Sequence, residues 1–396
     1  MTPVSPLHRH DVAVVGARAA GAATAMLLAR AGHDVVVLDR ARFPSDTLST
    51  HSIDRSGVVQ LDRWGLLDDV LDSGAPAIRS VTFHLPGESL TRTVKDRAGV
   101  DHLVAPRRHI LDPLLTDAAA ASGATVALGT SVTGVTRGLT GRATGVTGRD
   151  VEGRPIAVDA RVVIGADGLR SRVAREMGAP VVESRPPSGT TNYAYVAGLP
   201  WDGIEFFLSE GALAGVFPTH GGEACVWVCT PEGPAAAARR QGGSPGAAFD
   251  ALIARYAPAL SERLRSGRRT SPVRSAVRLP NQARAASGRG WALVGDAGYH
   301  RDPITGHGIS DAFRDADLLA TAVDRGLRGE LPVDEALAGF GRERDAARRE
   351  IFDITCSLSS FPPVPEFVDL QRRLSAAIEV EAAALAARPF PRALAA

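Results

Sequence analysis

The stretch DVAVVGARAAGAATAMLLARAGHDVVVLDR, residues 11–40, constrains the fold more than any other. Residues 11–17 are a short β-branched apolar run that ends in a glycine turn and reads as a buried parallel strand. Residues 19–31 are rich in alanine and leucine, contain no proline and stop at Gly32, which predicts a helix. Residues 33–40 form a second buried strand. Strand, glycine turn, helix and strand make one βαβ unit, the start of a nucleotide-binding α/β sheet.

The turn VVGARAAG has the outline G-x-G-x-x-G, with Gly16 first, Gly21 last and Arg18 in place of the middle glycine. Gly16 opens the tight turn, and Gly21 allows the helix to pack closely on the strand. The first helical amides, at Ala19 and Ala20, are available to a phosphate. Asp39 ends the second strand 23 residues after Gly16, where a carboxylate accepts from ribose hydroxyls, with Arg40 beside it. A guanidinium at Arg18 suits a doubly anionic pyrophosphate if its side chain turns toward the rim of the site.

Two more glycine turns follow. Gly165-Ala166-Asp167-Gly168 precedes Ser171 and a helix, and an Asp in such a turn can simply hydrogen-bond its own backbone. Gly295-Asp296 leads through Pro303, Gly306 and Gly308 to a third helix, whose first amides, near Gly308 and Ile309, suit a partly anionic ring edge. Between these pieces, residues 81–94 alternate as a β-ribbon around Pro86–Gly87, and residues 190–230 are rich in β-formers. The nucleotide-binding pieces are therefore interleaved with a second, sheet-forming unit.

A net charge of +1 excludes the strong field of a nucleic-acid binder. Cys225, Cys229 and Cys356 have no metal-ligand or redox spacing, and a low odd count fits a reducing cytoplasm. The residues before His10 are too short and polar for a signal peptide, and no apolar run reaches membrane-spanning length. A cytoplasmic protein, monomer or homodimer, with neither nucleic acid nor an integral membrane segment among its partners, is the expectation.

The ordered set GARAAG…Asp39, Arg107-Arg108-x-x-x-Asp112, GADGLRS and GDAGYHRDPITGHG resembles the FAD-dependent monooxygenase superfamily. That para-hydroxybenzoate hydroxylase-like group also contains geranylgeranyl reductases and flavin-dependent halogenases. The resemblance implies a Rossmann-like (GR2-type) FAD-binding domain interleaved with a β-sheet substrate domain and followed by C-terminal helices. The expected boundaries are 1–78, 104–178 and 288–360 for the FAD domain, 79–103 and 179–287 for the substrate domain, and 361–396 for a helical tail. Gly16 and Gly21 would hold the pyrophosphate, Asp39 the adenosine ribose, and Arg108 would flank the cofactor. Asp167 and Gly168 would border the face shared by FAD and NAD(P)H, Gly295 and Asp296 the ribityl chain, and Pro303, Gly306, Gly308 and Ile309 the flavin ring. The sequence departs from the family pattern at Arg18, Ala174, Tyr299 and Ser310.

The implied chemistry is reduction of FAD by NAD(P)H, addition of O2 at the flavin C4a, and transfer of one oxygen from the hydroperoxide to an apolar or aromatic small molecule of secondary metabolism. The cofactor carries the redox steps, so no protein nucleophile is needed. A reductase of isoprenoid-type or other C=C bonds is the alternative, followed by a halogenase or a non-redox FAD-binding scaffold; VWVCTP, residues 226–231, only faintly echoes the halogenase W-x-W-x-I-P segment. His51 and His307 are the candidate proton donors or ring contacts. Tyr193, Tyr195, Phe206, Phe207, Phe217 and Trp227 are the candidate pocket wall.

Overall fold

The computed structural model describes residues 8–187 and 189–389. The start of the N-terminal segment and the end of the expected tail, including Pro391, lie outside the described residues. The predicted βαβ unit is present: β1 (His8–Val15), α1 (Ala19–Arg30) and β2 (Val35–Asp39), with β1 and β2 parallel. Residues 12–15, 19–29 and 35–38 of this unit are buried, as their alanine, valine and leucine content requires.

Around this unit runs a parallel sheet in the order Thr125–Leu128, β2, β1, Pro155–Gly165, Trp291–Leu293. In chain order that is 3-2-1-4-5, the doubly wound arrangement, whose direction reverses between β1 and Pro155–Gly165. The antiparallel strands Ser131–Arg137 and Ala143–Arg149 extend it from Pro155–Gly165. Helix Arg108–Ala121 and the long helix Gly308–Leu327 pack with α1 on one face.

A second sheet joins Ser80–Leu85 and Glu88–Thr93 to six strands between Thr190 and Val277. Ser80–Leu85 runs parallel to Ile204–Ser209 although their last and first residues lie 119 positions apart. This pairing interleaves the two units. Its central strands, Thr190–Ala197, Ala212–Pro218 and Ala224–Thr230, are buried on both faces. One carries Tyr193, Tyr195, Phe217, Cys225, Trp227 and Cys229 against Ile351, Ile354, Phe367 and Leu370 of the two C-terminal helices, Val333–Leu358 and Val364–Ala386. The other carries Ala194, Phe207, Val216 and Val226 against Phe249, Leu252 and Leu260. The alanine- and arginine-rich stretch after the sheet strands forms a regular helix, Glu232–Gly242. No helix among the described residues is long and apolar enough to cross a membrane.

Candidate functional site

The sheet reverses at Gly16, the residue after β1. Its φ of 106° is open to glycine, and a Cβ there would lie 2.4 Å from the Ala166 carbonyl oxygen on the neighbouring strand end. A Cβ on Gly21 would come within 1.8 Å of the Gly16 oxygen, so the first turn of α1 lies directly on the strand end. From this crevice extends a cavity of about 640 Å³. Open α/β sheets bind ligands at this topological position.

One cavity brings together Gly16, Arg18, Ala19, Ala20, Asp39, Arg40, Arg108, Asp167, Gly168, Gly295, Asp296, Pro303, Gly306, Gly308 and Ile309. The predicted residues come from five separate stretches of chain. Gly21 is the exception: it packs helix on strand and does not line the wall.

Each carboxylate has a different setting. Asp39 accepts from the amides of Ala17 and Ala41, both at 2.7 Å, and its oxygens keep lone pairs for a hydroxyl donor. The Asp167 oxygens are taken by Ser171 Oγ and the Arg172 amide, both at 2.5 Å, so this side chain builds its own turn and shapes the wall. Asp296 is exposed on the cavity wall and, among the described residues, makes no side-chain hydrogen bond or ion pair.

Arg18 is the N-cap residue of α1, but its side chain does not cap the helix. Its Nη1 donates to Asp112 at 2.5 Å and its Nη2 to Ser45 Oγ at 3.1 Å. Arg108 donates to the other Asp112 oxygen through Nε at 2.9 Å and Nη2 at 2.7 Å. One fully buried carboxylate therefore anchors two cations beside the phosphate turn. With 28% of its side chain exposed, Arg18 lies at the cavity rim.

At the far end the loop 47–52 faces the turn Pro303–Gly308. His51 is buried there with a φ of 50°, an uncommon backbone conformation for a residue with a side chain. Its ring stacks on Tyr195 at 5.6 Å, and the Arg107 guanidinium lies 3.5 Å from the Tyr195 ring centre. Burial and the Arg107 cation lower the His51 pKa to about 3. The Ala105 carbonyl favours the charged ring weakly, and neither ring nitrogen makes a well-formed hydrogen bond. His51 is thus a neutral imidazole at neutral pH. Tyr193 lines the same wall, and its Oη accepts from the Ser49 amide at 3.1 Å; burial raises its pKa to about 12.

Several expected site residues lie elsewhere. His307 does not face the cavity. Its ring is fully buried behind the turn, held by Asp54 and by Glu381 at 2.9 Å. Tyr195, Phe217 and Trp227 are core beneath the wall, packed against the C-terminal helices. Phe207 faces away from them, stacked on His84 at 4.2 Å; its neighbour Phe206 meets Phe217 and Trp227. Side chains alternate along a strand, so only one of two adjacent phenylalanines can face the site.

Sequence reading missed Asp54 and Glu381, which fix the ring-edge turn from behind. Asp54 carries a local signal, since it caps helix Arg55–Arg63, but its bond to His307 spans 253 residues. It also missed Thr191, Leu279 and Asp302 on the cavity wall. Burial raises the Asp302 carboxyl to about 6.

These features fit FAD. Helix-start amides and two arginines suit its pyrophosphate, Asp39 and Asp296 suit its hydroxyl-bearing sugar chains, and a Cβ at Gly308 would meet only open space, where a flat ring edge can approach. A family model described as FAD binding domain matches residues 9–355. The menaquinone reductase of Mycolicibacterium smegmatis is 31% identical over 80% of this chain and 77% of its own. The 6-methylpretetramide 4-monooxygenase of Streptomyces rimosus is 26% identical over 96% of this chain and 89% of its own. The solved structure of the flavin-dependent brominase Bmp2 superposes with a TM-score of 0.80 over 97% of this chain and 96% of its own, at 16% identity, a likeness of fold. The chain belongs to the FAD binding domain family and is an FAD-dependent oxidoreductase.

Proposed function

We propose that the protein is a monooxygenase that takes reducing equivalents from NAD(P)H and hydroxylates or epoxidises an apolar or aromatic small molecule. The balanced reaction consumes substrate, O2, NAD(P)H and a proton, and yields oxygenated substrate, water and NAD(P)+. Bound FAD supplies the electron transfer and oxygen activation. The observation that carries the reading is the apolar core that backs the ring end of the cavity. There, a buried and uncharged His51 stands before an apolar layer of Tyr195, Phe217, Trp227 and Ile304. Oxygen transfer needs such water exclusion, because water diverts the oxidant before it meets the substrate.

The chain's residues divide the work. Asp39, Asp296 and the start of α1 bind and orient the cofactor. Thr47–Ser52 and Tyr193 border the space in which a substrate lies against the ring. The neutral His51 is available to hydrogen-bond a substrate oxygen or hold a proton at a ring nitrogen without adding charge to the site. Relatedness to the Streptomyces rimosus monooxygenase over nearly the whole chain supports the reading. The test is to supply labelled O2 with NAD(P)H and a panel of polycyclic aromatic substrates. Label in the product supports oxygenation.

A second reading, reduction of a C=C bond in an isoprenoid-type substrate, is favoured by the higher identity to the mycobacterial menaquinone reductase. It is distinguished by anaerobic turnover: NAD(P)H oxidation coupled to loss of an alkene, with O2 absent, supports the reductase and overturns the monooxygenase.

A further inference from the structure

The match to the family model ends at residue 355, yet helix Val364–Ala386 reaches back into the site. Its Glu381 accepts from His307 Nε2 at 2.9 Å through one oxygen and from Arg314 Nη1 at 2.8 Å through the other. The second His307 nitrogen, Nδ1, pairs with Asp54. An ionised carboxylate only accepts, so a ring between two carboxylates donates from both nitrogens and is an imidazolium. Burial opposes that charge, but Asp54 and Glu381 outweigh it and raise the His307 pKa to about 9.

The position of this cation matters. His307 lies between Gly306 and Gly308, whose backbone borders the cavity while the imidazole points away from it. Asp54 lies two residues beyond the opposite wall, loop 47–52, and also accepts from Ser310 Oγ at 2.8 Å. One ring therefore joins three elements: the ring-edge turn, the facing loop and the last helix. The remaining charges around it are Asp311 at 3.9 Å, Arg314 on its own helix, and Arg301, which pairs with Asp311 at 2.7 Å. His307, Asp311 and Glu381 bring ligand atoms within 4.8 Å of one another, but Arg314 already provides the cation for both carboxylates. The cluster is an ion-pair network.

We propose that the last helix completes the cofactor site through Glu381, which with Asp54 holds His307 as a positioning residue that fixes the Gly306–Gly308 backbone against the flavin ring. The inference rests on FAD binding and not on which reaction the flavin performs. Its test is therefore independent of the choice between oxygenase and reductase.

The experiment is titration of the apoprotein with FAD, followed by flavin fluorescence, between pH 6 and pH 10. Glu381→Gln and His307→Gln are each expected to weaken FAD binding about tenfold or more at neutral pH. The double variant should lose no more than His307→Gln alone, since both changes break one linkage. Wild-type affinity should fall as the pH passes about 9, and His307→Gln should abolish that step. Glu379→Gln, on the same helix as Glu381, is the control: it loses pairing with Arg55 and Arg97 and should bind FAD as wild type does. If Glu381→Gln fails to fold as the apoprotein, the shorter Glu381→Asp is read in the same titration. Affinity within about twofold of wild type for the folded Glu381 variant, or an equal loss in Glu379→Gln, overturns the proposal.

Discussion

Arg18 and Asp112 are paired at 2.5 Å across the turn that joins β1 to α1. The residue that replaces the usual glycine is thus drawn sideways by a carboxylate 94 positions away, which leaves the Gly16 backbone clear. Asp112 is fully buried and also carries Arg108, so its removal strands two cations. Asp112→Ala should cost about 3–5 kcal/mol of stability, measured by urea unfolding of the apoprotein. Arg18→Ala should cost little stability, because Arg18 is partly exposed, but should weaken FAD binding by about tenfold through a lost charge-assisted contact. Equal FAD affinity in Arg18→Ala would place its guanidinium outside the pyrophosphate site.

The two candidate histidines should respond to pH in opposite directions. The His51 pKa falls from 6.5 to about 3 on folding, so below pH 6.5 the unfolded chain takes up a proton that the folded one refuses. Stability should drop by about 1.4 kcal/mol per pH unit from this group between those values, and His51→Asn should remove that slope. Asn also tolerates the positive φ at this position. The His307 pKa rises to about 9, so its contribution is fully present below pH 6.5 and is lost as the pH climbs through 9. It is on the order of 3 kcal/mol, and His307→Gln should flatten the alkaline limb. Urea titrations across pH read both effects.

The βαβ start was legible because its signals are local: an apolar run, a glycine turn, an alanine helix, and a carboxylate at the next strand end. Each depends on neighbours within about forty residues, and the doubly wound order follows from the handedness of such units. The phase of a strand buried on both faces was not legible. Residues 224–230 are buried at every position, and the neighbouring Phe206 and Phe207 look alike in composition, so alternation cannot be assigned an inside. Nor could the sequence tell which way His307 points between its two glycines. That direction is set by Asp54 and Glu381, each from an element remote in sequence.

Glycine substitutions separate fold from cofactor. Gly21→Ala places a Cβ within 1.8 Å of a backbone oxygen and should destabilise the apoprotein by more than about 4 kcal/mol. Gly308→Ala meets no protein atom within 4 Å and lies at the first position of a helix. It should leave apoprotein stability unchanged or raise it by up to about 1 kcal/mol. If the flavin ring occupies the open space, FAD affinity should still fall by about tenfold or more. Thermal unfolding of the apoprotein and FAD titration of the same samples check the pair, and normal FAD affinity in Gly308→Ala would move the ring away from this turn.

Asp296 isolates the ribityl contact from the rest of the site. Strand Trp291–Leu293 pairs in parallel with Val163–Gly165 and delivers the Gly295–Ala297 turn to the same crevice as Gly16. The Asp296 side chain is exposed there, and no protein hydrogen bond among the described residues depends on it. Asp296→Ala should therefore leave the apoprotein melting temperature within about a degree or two of wild type. A hydroxyl bonded to an ionised carboxylate contributes about 1.5–3 kcal/mol, so FAD affinity should fall by roughly ten- to a hundredfold. Calorimetric titration of the apoprotein with FAD and with riboflavin resolves the contact further. Both ligands carry the ribityl chain, so both should weaken, whereas a loss confined to FAD would assign Asp296 to the phosphate or adenosine end.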